Sequence, residues 1–186
     1  MVFARDTETS LRAAAALVNT LPETDPEGID RLRTQDDLAA YLAEFPFSGT
    51  IRRDDLELSQ LRAARGRLRE LWAGDRAAAV PIVNALLRDG KALPQLVIHD
   101  DYDWHVHATD EGDPLALRIM VEVAMAFVEV IRLDRFDRVR VCDADDCDAV
   151  YIDYSKNGSK RYCDTGNCGN RMNVNAYRRR KAEGSA

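Results

Sequence analysis

Apolar residues recur at helical spacing through the first half of the chain. Leu11, Ala14, Ala15 and Val18 fall at i, i+3, i+4 and i+7 and predict a helix over 8–20, capped by Asp6 or Thr7. Residues 20–33 hold two prolines and Gly28 and read as a loop. Thr34 followed by Asp37 forms a capping box with Asp in place of the usual Glu or Gln, ahead of Leu38, Tyr41, Leu42 and Phe45. Pro46 and Gly49 stop that helix. A third helix over 54–73 has the seam Leu58, Leu61, Ala64, Leu68, Leu71 and Trp72. Its other face, with Arg62, Arg65, Arg67 and Arg69 beside Glu57 and Glu70, reads as a solvated face ahead of a phosphate site. A fourth helix covers 76–88, and Pro81 predicts that it starts there or kinks there.

After Gly90 the period changes to two. Residues 95–99 and 103–108 read as strands joined by residues 100–103. In the second, Trp104, Val106 and Ala108 share one face, while His105 and His107 share the other. Two imidazoles side by side can bind a metal, with His99 as a candidate third ligand, or an anionic ligand; ordinary hydrogen-bonded histidines are the plainer reading. Asp113-Pro114 then starts a helix reaching Arg132. It is apolar on most of its circumference, with only Arg118, Glu122, Glu129 and Arg132 as a polar stripe. Such a helix belongs at the centre of a core, or offers a face to a second subunit. The link at 134–138 is short and lacks Gly and Ser, so the parts it joins should pack together.

The remaining pattern is set by cysteine. Cys142, Cys147, Cys163 and Cys168 form two C-x4-C pairs separated by 15 residues. Two tight pairs around a turning insert can deliver four thiolates to one tetrahedral zinc ion. Residues 138–142 and 149–153 alternate as an antiparallel hairpin, Asn157-Gly158 marks a turn, and a helix follows Cys168. The predicted fold class is therefore α+β: a mostly helical N-terminal domain with a small β-hairpin over 1–135, then a treble-clef-like four-cysteine zinc finger over 136–186. Two disulfides, four unrelated buried thiols and a redox dithiol are the competing readings of the cysteines. Four protein ligands leave no open position, so one such zinc is structural.

The stretches Val141–Cys147 and Tyr162–Arg171, ending in Cys168-Gly169-Asn170-Arg171, resemble the CGNR zinc-finger family. The resemblance implies an N-terminal α/β domain, the ABATE domain, ahead of the finger, and a stress-related transcription regulator. It extends to Leu17-Val-Asn-Thr20, which makes Asn19 a candidate ligand-binding residue beside His105 and His107. A hydrogen bond from the Asn19 amide to nearby backbone is the plainer alternative.

Charge refines this picture. The chain carries −6 overall, but residues 156–186 hold eight basic and two acidic residues, leaving the rest strongly acidic. The basic end suits phosphate; the acidic body does not. Lys160, Arg161, Arg171, Arg178, Arg179, Arg180 and Lys181 are candidate phosphate contacts, and Asn170, Asn173 and Asn175 candidate base readers. A balanced helix C-terminus explains the Arg178–Lys181 run equally simply, and a structural role explains Gly169-Asn170-Arg171. The N-terminus lacks the apolar core of a signal peptide and no segment reads as a membrane span, so a cytoplasmic protein is expected. No enzyme is expected, because no nucleophile, carboxylate pair or phosphate loop stands out. The expected partners are DNA, a small-molecule effector and a second copy. The alternative is a zinc-stapled protein-interaction or ligand-binding module.

Overall fold

The computed structural model describes residues 2–99 and 102–183. Asp100 and Asp101 of the expected connector, and the side chain of His99, lie outside the described residues. The elements run α1 (Arg5–Val18), α2 (Gln35–Glu44), α3 (Asp55–Arg69), α4 (Arg76–Asp89), β1 (Gln95–His99), β2 (Tyr102–His107), α5 (Leu115–Arg132), β3 (Val139–Val141), β4 (Val150–Ile152) and α6 (Cys168–Glu183). This is the α+β arrangement that the pattern predicts: a helical body, two small antiparallel hairpins and a terminal helix.

α5 is the centre, with α1, α3 and α4 packed around it. Leu115, Ile119, Val123, Phe127 and Val130 are buried along it. Removing the Phe127 side chain from this packed position should cost about 3–5 kcal/mol. Gly90 lets the end of α4 approach α5: a Cβ there would lie 2.2 Å from Cγ2 of Val121.

The caps explain the starts. Thr34 and Asp37 form the reciprocal box, with Asp37 N–H donating to Thr34 Oγ1 at 3.2 Å and Thr34 N–H to Asp37 Oδ2 at 2.8 Å. Asp54 and Asp75 cap α3 and α4 by accepting from Glu57 N–H and Ala78 N–H.

Several expectations change. α1 begins at Arg5, earlier than predicted, and neither Asp6 nor Thr7 caps it. Glu8 reaches back to accept from Val2 and Phe3 N–H, while Thr7 is buried against α5 with its hydroxyl on Glu129. Asp113 does not cap α5; its carboxylate accepts from Asp110 N–H instead. α4 covers the span expected of it, but it runs through Pro81 rather than starting there, because the Asp75 cap fixes the start upstream of the proline. Pro81 and Ala77 are both exposed, so water can satisfy the carbonyl the proline cannot bond.

The arginine face of α3 is not simply solvated. Arg65 is 4% exposed, with Nη1 donating to Asp30 Oδ1 at 2.7 Å and to the Thr20 carbonyl at 3.0 Å. Its guanidinium holds the Asp30 carboxyl down to about 2. Glu57 is buried too, and accepts from Arg52 and Arg53 N–H. Arg118, expected on a polar stripe, is buried and donates to the Ser48 and Thr50 carbonyls, which pins the loop after α2.

The second hairpin belongs to both parts of the molecule. Val150 and Ile152 enter the main core, while Tyr151 packs with the cysteines. Trp72 is buried in the core, and its indole N–H donates to the Tyr151 carbonyl at 3.3 Å.

Candidate metal centre

The hairpin β3–β4 pairs Val139 with Ile152 and Val141 with Val150, and its ends carry the first cysteine pair. Cys142 follows β3 directly and donates its N–H to the Ala149 carbonyl at 2.9 Å. The second pair sits at the start of α6, where Cys168 is the first helical residue. The connecting turn is held by Asp153, which is fully buried and accepts from Ser155 N–H at 2.8 Å and Lys160 N–H at 2.9 Å. Tyr151 O–H adds a bond to the Lys160 carbonyl at 2.7 Å. Asp153 escaped the sequence reading; a lone acid after a strand carries no pattern that separates a turn clip from a surface charge.

The four sulfur atoms lie within 4.8 Å of one another. Cys163 Sγ is 3.7 Å from both Cys147 Sγ and Cys168 Sγ. Zinc–sulfur bonds of about 2.3 Å in a tetrahedron imply sulfur–sulfur edges of about 3.8 Å, so the donor set fits one zinc ion. The same spacing rules out disulfides, which need sulfurs about 2.05 Å apart. Burial pushes the Cys142 and Cys147 thiols up. At Cys163 burial acts the same way but is outweighed, chiefly by donation from Gly166 N–H, and the thiol moves down. A bound zinc supplies the positive charge that keeps all four as thiolates, and it closes the site to substrate.

Space for Cys168 comes from Gly166, where a Cβ would sit 3.2 Å from its sulfur; at Gly169 a Cβ would meet only the Tyr162 ring at 3.6 Å. Arg171 Nη2 donates to Cys168 Sγ at 3.2 Å, and Nη1 pairs with Asp146. Asp146 is therefore the acid that orients it.

The predicted interface residues separate into two groups. Lys160 pairs with Asp164, Arg161 with Asp143 at 3.0 Å, and Arg171 with Asp146. Arg178, Arg179 and Arg180 are exposed on α6 with no acidic partner among the described residues; Lys181 is exposed beside them. Asn170, Asn173 and Asn175 are exposed as well. At 3.6 residues per turn Asn170, Asn173, Tyr177 and Lys181 fall on one stripe, opposite Cys168 and Met172, while Asn175 falls outside it.

Residues 138–181 match the CGNR zinc finger, and residues 11–133 match the family described as ABATE, putative stress-induced transcription regulator. The chain belongs to the ABATE family. The finger follows it in the order that the residue pattern implies, and the fitted cysteines make one structural zinc the cofactor of this ABATE chain. No curated protein matches it. No helix among the described residues is long and apolar enough to cross a membrane.

The ABATE part forms an open cavity of about 510 Å³ between α1, α5, the loop after α2 and β2 of the first hairpin. His105 and His107 line it, with Thr7, Glu122, Glu129 and Phe47. His105 Nδ1 lies 2.8 Å from the Asp103 carbonyl, so it donates there. Its Nε2, 3.1 Å from His107 Nε2, then accepts a hydrogen bond from the His107 Nε2–H when both rings are neutral. Asn19 does not line the cavity: Nδ2 donates to the Val150 carbonyl at 2.8 Å, and Oδ1 accepts from Val150 N–H at 2.8 Å. The side-chain amide occupies the outer edge of β4 as a neighbouring strand would. Among the described residues no second cluster gathers three metal-ligating side chains.

Proposed function

We propose that this chain is a cytoplasmic, non-catalytic transcription regulator that binds DNA through α6 and senses a small molecule in the ABATE part. The observation that carries the reading is the contrast on α6. One side is fixed by Cys168 and Met172, and the other presents Asn170, Asn173 and Tyr177 above the exposed Arg178–Lys181 run. Zinc would hold this helix in register with the hairpin, which so small a piece could not do by burial alone. The arginines supply phosphate contacts that position the helix; the asparagines supply donors and acceptors for base edges, adenine above all. Lys160, Arg161 and Arg171 take lesser parts, because acids already pair with them.

The effector site rests on the cavity of about 510 Å³, a volume within the usual range for small-molecule pockets. Its histidine pair, carboxylates and apolar floor can orient a molecule with both polar and apolar parts.

The test is selection of genomic DNA fragments by the purified, zinc-loaded chain at several salt concentrations. Enriched fragments whose binding weakens steeply with salt support the reading, since neutralised phosphates release counterions. No enrichment, or binding that ignores salt, would leave the zinc-stapled interaction module as the better account.

A further inference from the structure

The first hairpin is turned inside out. Alternation places Leu96 and Ile98 of β1 with Trp104 and Val106 of β2 on one face, and the register sets Leu96 opposite Val106. A strand pair lying on a body ordinarily buries such a face and exposes its polar one. Here His105 is 8% exposed, on the side of the cavity. Leu96 is 67% exposed, Ile98 56%, Trp104 64% and Val106 38%, with Leu93 at 70% beside them. Turning the hairpin over would bury the apolar set but remove the histidines from the cavity. Both faces are therefore committed, the inner one to the cavity and the outer one to something that covers it.

We infer that the outer face of β1–β2 is the surface on which a second copy of the chain docks. Area is the first argument. At roughly 200 Å² for each fully exposed large apolar side chain, the five residues present on the order of 600 Å² per copy. That is already at the upper end of the largest apolar patch on ordinary monomers, about 300–600 Å². Two such faces together reach about 1,200 Å², where specific, stable interfaces begin. Chemistry is the second. None of the five side chains is charged, so a two-fold axis through the patch brings apolar against apolar and opposes no like charges. Both edges of this two-stranded sheet are also open among the described residues. The inference stands independently of DNA binding.

The full zinc-loaded chain is tested by sedimentation velocity across the micromolar range, with and without Leu96→Lys and Ile98→Lys. The wild type should dimerise, and each lysine should weaken dimerisation at least tenfold, since the two-fold sets lysine near lysine. Melting curves check that these exposed substitutions leave the fold intact. Acrylamide quenching supplies a readout that needs no variant. Of the chain's two tryptophans, Trp72 is buried, so concentration-dependent protection reports Trp104. A wild type that stays monomeric throughout overturns the inference, including one that instead binds vesicles or another protein through this face. So does a dimer in which Trp104 remains fully quenchable or the lysines change nothing.

Discussion

Replacing Asn19 by Ala tests how the finger is joined to the body. Val150 is fully buried, and its N–H and carbonyl both depend on the Asn19 amide at 2.8 Å. These groups point away from β3, so no ladder partner can replace the lost one. Each orphaned buried backbone group costs about 1–3 kcal/mol, so the pair should cost about 2–5 kcal/mol after some relaxation. For a chain of this size that corresponds to a fall in Tm of roughly 4–20 °C. Urea and thermal unfolding of the zinc-loaded chain measure it. Asn19→Asp sharpens the test: it keeps shape and acceptor but sets a carboxylate oxygen against the Val150 carbonyl, so it should not rescue stability. An Asn19→Ala variant within about 0.5 kcal/mol of wild type, the range of ordinary surface changes, would refute the reasoning.

Further predictions follow from other contacts. Stripping zinc with a chelator, or Cys168→Ser, should abolish hydrogen-exchange protection in 163–183 while α5 and β4 stay protected; unchanged protection of α6 would contradict the metal's role. Asp30 has its folded pKa lowered, so its stabilising contribution is full above about pH 4 and fades as pH falls through about 2. Asp30→Asn should therefore be destabilised at neutral pH by at least about 2 kcal/mol. The difference from wild type should shrink between pH 4 and 2 in acid titrations of both proteins. Gly90→Ala should lose about 1–3 kcal/mol by overpacking against Val121, read from the urea midpoint. Replacing Arg178, Arg179 and Arg180 by Ala should lower the slope of log K against log salt by about 2.7 if each contacts one phosphate.

What was legible in the sequence is what periodicity and ligand spacing encode. The apolar circumference of α5 announced a buried centre, the Thr34–Asp37 pair a helix start, and the paired cysteines a metal site. Contacts between residues far apart in the chain left no local pattern. The resemblance made Asn19 a candidate ligand residue, and the plainer alternative had its amide on nearby backbone; the amide does bond backbone, but that of Val150, 131 positions away. Arg65, Glu57 and Arg118 looked solvated because charge alone does not reveal the Asp30 carboxylate or the loop backbone that lets them be buried. The period-two pattern found the histidine hairpin, but not that its apolar face points outward. That orientation depends on the cavity beneath it.

The most direct measurement is X-ray absorption at the zinc edge of the purified chain, combined with metal content. The account predicts one zinc per chain surrounded by four sulfur atoms at about 2.3 Å. Nitrogen or oxygen in that shell, a zinc content far from one, or oxidised cysteines without metal would contradict it.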